Sequence, residues 1–150
     1  MIRKLASLIV LLSTSSAMAN QCPHVTGLFQ MAEDAVVQYE TQDCARIERW
    51  GGYQNSRGEI VINPDVQTFE LNGAAVCAGV KCQSATASAT SINFALNYDG
   101  YVKSKDHGLC IYRSTQISID SDNNLKSVYG VTNCDDGFQG EITKTFTRLR

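Results

Sequence analysis

Six cysteines, two histidines and a scatter of Ser, Asp and Asn are the residues of this chain whose chemistry reaches beyond packing. Cys77 and Cys82 enclose four residues, two more than a redox pair at the head of a helix, and no helical pattern accompanies them. A zinc site needs two further ligands at matching spacing, and the sequence offers none. This pair reads as a structural disulfide. His107 stands in Lys103-Ser104-Lys105-Asp106-His107-Gly108, a solvated loop. Ser104, Asp106 and His107 are the residue types of a hydrolytic triad, but a triad is assembled from separate elements rather than three loop neighbours. No Gly-x-Ser-x-Gly elbow occurs. His24, between Pro23 and the first apolar segment, reads as a surface residue. Carboxylates pair at Glu33-Asp34 and Asp135-Asp136. Asp120, Asp122 and Asn124 alternate like the opening of a calcium loop, yet the glycine and late acid such a loop needs are missing. Their place in a hairpin turn gives them a backbone reason instead. Trp50-Gly51-Gly52-Tyr53 lacks the Lys and following helix of a phosphate loop. The expectation is no enzyme, no cofactor and no metal.

The cysteines also measure the fold. In an antiparallel hairpin, opposed residues lie at equal distances from the turn. The midpoint of Cys22 and Cys44 falls at residue 33, beside Glu33-Asp34, and that of Cys110 and Cys134 at residue 122, inside Ser121-Asp122-Asn123. Both midpoints are turn residues on independent grounds. Opposed strand residues have Cα atoms about 4.5–5.5 Å apart, within disulfide reach. The expected pairs are Cys22–Cys44, Cys77–Cys82 and Cys110–Cys134. The same ruler opposes Phe29 to Val37, Gly27 to Tyr39, Ile119 to Leu125, Thr115 to Tyr129 and Arg113 to Val131. It sets the cysteines on the face opposite these largely apolar positions.

Disulfides imply an oxidising compartment, and the N-terminus names the route. Arg3 and Lys4 precede the apolar run Leu5–Leu12, a short polar stretch, and Ala17-Met18-Ala19. This is the layout of a secretory signal peptide over residues 1–19, cleaved after Ala19. The run is too short to span a bilayer and no second one follows. Asn20, not Cys, would then lead, so no lipid anchor is expected. Residues 20–150 form one domain on size grounds. With Arg3 and Lys4 gone, 11 basic residues face 15 acidic ones, leaving a charge of about −4. Scattered and mildly acidic, that balance argues against nucleic acid and anionic membranes as partners. The periplasm is the expected location, with secretion the alternative.

The elements that must position these residues are strands. Thr, Ser, Val, Ile and Tyr are frequent, and no helical apolar stripe exceeds about two turns after residue 20. Strand-length segments cover Val25–Met31, Ala35–Thr41, Ala45–Trp50, Glu59–Asn63, Val66–Leu71, Ala74–Val80, Thr86–Asn97 (as one strand or two), Cys110–Asp120, Asn124–Thr132 and Gly140–Leu149. Asn72-Gly73 and Asp99-Gly100 read as hairpin turns, Gly51-Gly52 and Pro64-Asp65 as turn material. Strands at this spacing predict an all-β chain, an antiparallel up-and-down barrel or strongly curled meander of about eight to ten strands, stapled by disulfides. Ala85, Ala87 and Ala89 alternate in a run of small residues and, on one inward face, would leave room for a ligand. The aromatics Trp50, Tyr53, Tyr98, Tyr101, Tyr112 and Tyr129 read as cross-strand and core packing, or as the lining of a pocket.

Gly27-Leu28-Phe29 near the start and Arg148 in Thr145-Phe146-Thr147-Arg148 at the end resemble the two closing motifs of lipocalin-like (calycin) barrels, with Phe29 standing where that family has Trp. The Cys-Pro start and strand-rich remainder are also similar to small exported lipocalin-like proteins of Gram-negative bacteria. The resemblance implies that Arg148 packs over Phe29 and seals the barrel floor, and that a small apolar ligand sits in the barrel mouth. The function expected is non-enzymatic binding of such a ligand. The alternative is a disulfide-held inhibitor or interaction module for an envelope or secreted protein.

Overall fold

The computed structural model describes residues 22–150, so the expected signal peptide at residues 1–19 lies outside the described residues. Ten strands and no helix make up the described chain: β1 (Gly27–Gln30), β2 (Ala35–Gln42), β3 (Arg46–Gln54), β4 (Ile60–Glu70), β5 (Val76–Ala78), β6 (Lys81–Ala87), β7 (Ile92–Ser104), β8 (Gly108–Ile119), β9 (Leu125–Cys134) and β10 (Gly140–Phe146). They form two antiparallel sheets, β1-β2-β3-β4 and β10-β9-β8-β7-β6-β5, in which each strand pairs with its neighbour in sequence. Alternating apolar positions turn one face of each sheet inward. Phe29, Val37, Tyr39, Ile47 and Phe69 from the first sheet pack against Ala85, Ile92, Phe94, Ile117, Leu125 and Phe146 from the second. Among the described residues the sheets do not close into one barrel. A single bridge, Phe29 to Arg148, crosses one seam, and a single bridge, Asn72 to Thr86, crosses the other. At the first seam the chain after β10 also bonds β1 through Leu28 N–H to Arg150 O (2.8 Å) and Leu149 N–H to Leu28 O (2.7 Å).

The three disulfides join Cys22 to Cys44, Cys77 to Cys82 and Cys110 to Cys134. Such bridges belong to an oxidising, non-cytoplasmic setting. β1 and β2 take the expected register, Gly27 opposite Tyr39 and Phe29 opposite Val37. So do Ile119 with Leu125 and Thr115 with Tyr129 across β8 and β9. Beyond that level the register shifts: Tyr112, not Arg113, opposes Val131, and the offset is restored before Cys110 meets Cys134. Arg113 and Thr132 are the extra residues of two compensating bulges. Cys110 and Cys134 consequently do not face outward, whereas Cys44 and Cys77 are exposed. Cys110 and Cys134 are buried in a second apolar cluster with Val102, Tyr129 and Val131.

Several turn signals prove to be bends within strands. Asp99-Gly100 lies inside β7, where the register slips between Ala95 and Gly100. Gly100 is required by close approach rather than by a turn, since a Cβ there would sit 2.6 Å from the Tyr112 ring. The actual β7–β8 turn is Lys105-Asp106-His107. Gly51-Gly52 lies inside β3 at a bulge opposite β4, and Pro64-Asp65 inside β4. β4 is an edge strand, where a missing N–H costs no ladder bond. Asn72-Gly73 does not turn a hairpin either. It ends β4 and crosses to the second sheet, with Gly73 N–H bonded to Ala85 O at 3.0 Å. The segment 86–97 breaks at Ser88–Ser91 into the ends of β6 and β7.

Candidate functional site

The structure brings Gly27, Phe29 and Arg148 together. The Arg148 guanidinium stands 4.9 Å from the Phe29 ring centre. Its Nε donates to Asn123 O (2.7 Å) and its Nη1 to Thr26 O (2.9 Å). Its backbone N–H donates to Asn124 Oδ1 at 3.1 Å. Gly27 leaves the space that the guanidinium fills; a Cβ there would collide with it and come within 2.9 Å of Phe29 Cζ. Arg148 therefore ties β1, the β8–β9 turn and the C-terminal segment into one cap. Asp120 shapes that turn by accepting the Asp122 and Asn124 N–H groups, each at 2.9 Å. Among the described residues no group of His, Cys, Asp and Glu is arranged to hold a metal ion.

The alanines do not act together. Ala85 is fully buried in the core, whereas Ala87 and Ala89 are exposed, because β6 ends at Ala87 and the chain turns away over Ser88–Ser91. Of the three, only Ala85 marks the inward face, since Ala87 is already exposed as the last residue of β6. The space between the sheets lies elsewhere. A pocket of about 100 Å³ is lined by Met31, Tyr39, Arg49, Gln83, Phe94, Tyr112, Thr115, Ile117, Ser127 and Tyr129. Two cross-strand rows build it. Tyr39, Arg49 and Gln67 are directly opposed on β2, β3 and β4. Ala85, Phe94, Thr115, Tyr129 and Ile142 are opposed on β6 to β10.

Among the described residues Arg49 is the one charged side chain along the wall of this pocket, and it is well bonded. Its Nε and Nη2 donate to Gln67 Oε1 (2.9 and 2.5 Å), and Nη2 also donates across the sheets to Gln83 Oε1 (3.1 Å). Its guanidinium lies 5.1 Å from the Phe69 ring centre and 5.7 Å from that of Phe94, two rings themselves packed edge to face. Tyr112 and Tyr129 meet edge to face at 4.9 Å. Burial raises the hydroxyl pKa of Tyr39, Tyr112 and Tyr129, and the positive charge of Arg49 opposes the rise at Tyr39 and Tyr112. Sequence reading set Tyr112 and Tyr129 aside as pocket candidates but missed Tyr39 and Arg49. An Arg at an inward-facing position of an alternating strand, two residues after buried Ile47, was the available signal.

His107 and the Asp135-Asp136 pair meet at the far end. His107 Nδ1 lies 2.8 Å from Asp136 Oδ2, and its ring stacks on Phe138 at 3.9 Å between centres. The hydrogen bond from His107 holds the Asp136 carboxyl below the usual range. Asp106 is not its partner. Ser104 Oγ accepts the N–H groups of Asp106 (3.3 Å) and His107 (3.2 Å), which makes it a turn residue. A wider groove of about 600 Å³ runs from this turn along β10 to Gln30 and Met31. His24 is exposed. No protein family, curated relative or solved structure matches the chain.

Proposed function

We propose that this chain is a non-enzymatic binding protein of the periplasm that holds its ligand between its two sheets. The observation that carries the reading is the pocket at Tyr39, Arg49, Tyr112 and Tyr129, where the apolar interior gives way to phenols, amides and a guanidinium. The cap of Arg148 on Phe29 is what a lipocalin-like barrel floor requires, and on it we keep that resemblance. The bonds across the two seams support reading the sheets as a barrel drawn open along both. A non-enzymatic role agrees with the backbone duty of the Ser104 hydroxyl.

The ligand differs in character from the apolar molecule expected. Sites for drug-sized apolar molecules are about 300–1,000 Å³, and the pocket at Arg49 offers about 100 Å³ beside a core packed with large apolar side chains. A small polar molecule, or the polar head of a larger one, fits that description. A second reading, an interaction module, is favoured by the groove along β10, which is the last strand of its sheet and has a free edge for an extended segment of another envelope protein. Native mass spectrometry of oxidised protein from its own host separates the two. A co-purifying mass below that of a peptide, lost on Tyr39→Phe/Tyr112→Phe substitution, supports the pocket. A stoichiometric protein complex that survives those substitutions overturns it in favour of the groove.

A further inference from the structure

We infer that the pocket between the sheets is a site for a compact oxyanion, a short carboxylate or a tetrahedral inorganic anion, gripped by the Arg49 guanidinium and the surrounding tyrosine hydroxyls. The inference rests on the interior-pocket reading above and names the ligand's chemistry. The Arg49 guanidinium is half-buried against two aromatic rings, where an opposite charge beside it would be stabilising. Among the described residues no such charge is paired with Arg49. The ion pairs among the described residues are His107–Asp136 and Arg113–Asp99, and neither involves it. Its partners, the amides of Gln67 and Gln83 and the hydroxyl of Tyr39, are neutral. The faces of Phe69 and Phe94 offset part of the positive charge but give no hydrogen bonds.

The other polar side chains of the pocket, from both sheets, repeat the chemistry. Tyr39, Tyr112, Tyr129, Thr115 and Ser127 bring hydroxyl donors to a pocket that no carboxylate lines. Hydroxyls able to donate, a cation and no carboxylate complement an oxyanion. With Arg49 Nε and Nη2 held by Gln67 and Gln83, the Nη1 N–H groups are the guanidinium donors left to meet it. Size sets the limit. At about 30 Å³ per water, the roughly 100 Å³ available holds some three waters. A carboxylate on a one- or two-carbon stem fills the same space, as does phosphate or sulfate.

The test is an NMR titration of the oxidised protein at constant ionic strength, following the Arg49 Nε–H signal and the tyrosine ring signals. Acetate and propionate form one arm, phosphate and sulfate a second, acetamide a neutral third, and chloride the control. The expected result is saturable shifts at Arg49 in one anion arm, with a dissociation constant of about 1 mM or tighter. Acetamide and chloride should leave those signals unmoved. The responding arm tells a carboxylate from a tetrahedral anion. Arg49→Lys, which keeps the charge and loses the Nη1 donors, is expected to weaken binding at least tenfold. Equal saturation by acetamide and acetate overturns the oxyanion while leaving the interior pocket standing. Silence in all three arms overturns both, and leaves Arg49 as a cation stacked between rings for packing alone. The wild-type titration decides the matter even if the Arg49 variant does not fold.

Discussion

Arg148→Ala tests whether the cap that joins both ends of the chain is a structural clamp. The substitution removes two charge-assisted hydrogen bonds, to Asn123 O and Thr26 O, and the guanidinium over Phe29. Each such bond contributes about 1.5 kcal/mol at the low end appropriate to a half-exposed site, and the ring contact about 0.5–1 kcal/mol. Release of the arginine's rotamers returns part of about 2 kcal/mol. The net loss is about 2–3 kcal/mol. At about 2.1 cal/mol/K of unfolding entropy per residue, the 129 described residues give roughly 0.27 kcal/mol per degree, so Tm should fall by about 7–11 °C. Gly27→Ala attacks the same contact from below, since its Cβ would collide with the guanidinium, and overpacking of this kind costs about 1–3 kcal/mol. The decisive measurement is the double-mutant cycle by calorimetry. With Arg148 already truncated the collision is relieved, so Gly27→Ala should cost about 1 kcal/mol less than in the native background. A single-mutant Tm within about 2 °C of native, or strict additivity, would refute the clamp.

Because burial raises the hydroxyl pKa of Tyr39, Tyr112 and Tyr129, both folded and unfolded tyrosines are neutral below about pH 10, and their contribution is whole there. Above that pH the unfolded chain ionises first, so the urea midpoint should hold from neutral pH to about 9 and then fall; a flat midpoint to about pH 12 contradicts the buried placement. Ala85→Val should cost about 1–3 kcal/mol by overpacking, while Ala87→Val should stay within about 0.5 kcal/mol, because only Ala85 is buried; equal effects in thermal melts would mean that β6 is misplaced. Mild reduction followed by alkylation and peptide mapping should open Cys77–Cys82 first, its sulfurs lying in an exposed hairpin, and Cys110–Cys134 last, since Cys110 is fully buried. Removing the two bridges separately should cost about 2 and about 3.5 kcal/mol on the chain-entropy account.

What the sequence made legible was whatever two independent local signals fixed together. Cysteine midpoints and turn residues agreed at Glu33-Asp34 and at Ser121-Asp122-Asn123, and both hairpins form there. Glycine dipeptides alone misled. Asp99-Gly100 and Gly51-Gly52 have the composition of turns, yet in long strands the same residues serve bulges, where a neighbouring ring or carbonyl presses on the backbone. Small-residue alternation could not say where β6 stops, because Ala, Ser and Thr bury too little to reveal a face. The Phe29–Arg148 contact spans nearly the whole chain and came from resemblance rather than from spacing. The pocket is half legible: Tyr112 and Tyr129 stand out as aromatics, whereas Tyr39 and Arg49 do not, the arginine being one of many scattered charges.

The bulge pair on β8 and β9 connects these points. From the β8–β9 turn, the inward side chains of the ladder run Ile119 and Leu125, then Ile117 and Ser127, then Thr115 and Tyr129, all at odd positions. Unbroken alternation would next turn Arg113 inward opposite Val131, setting a second guanidinium beside Arg49 and against an apolar cluster. The extra residue reverses the face at that level. Arg113 turns outward, 3.0 Å from Asp99, and Tyr112 turns inward over Gly100 to complete the pocket wall. The same reversal lets Cys110 continue the even face into the buried cluster with Val131 and Cys134. One irregularity thus discharges an arginine to the surface, supplies a phenol to the pocket and buries a disulfide. Among the described residues it leaves Arg49 as the only cation lining the space between Thr115 and Tyr39.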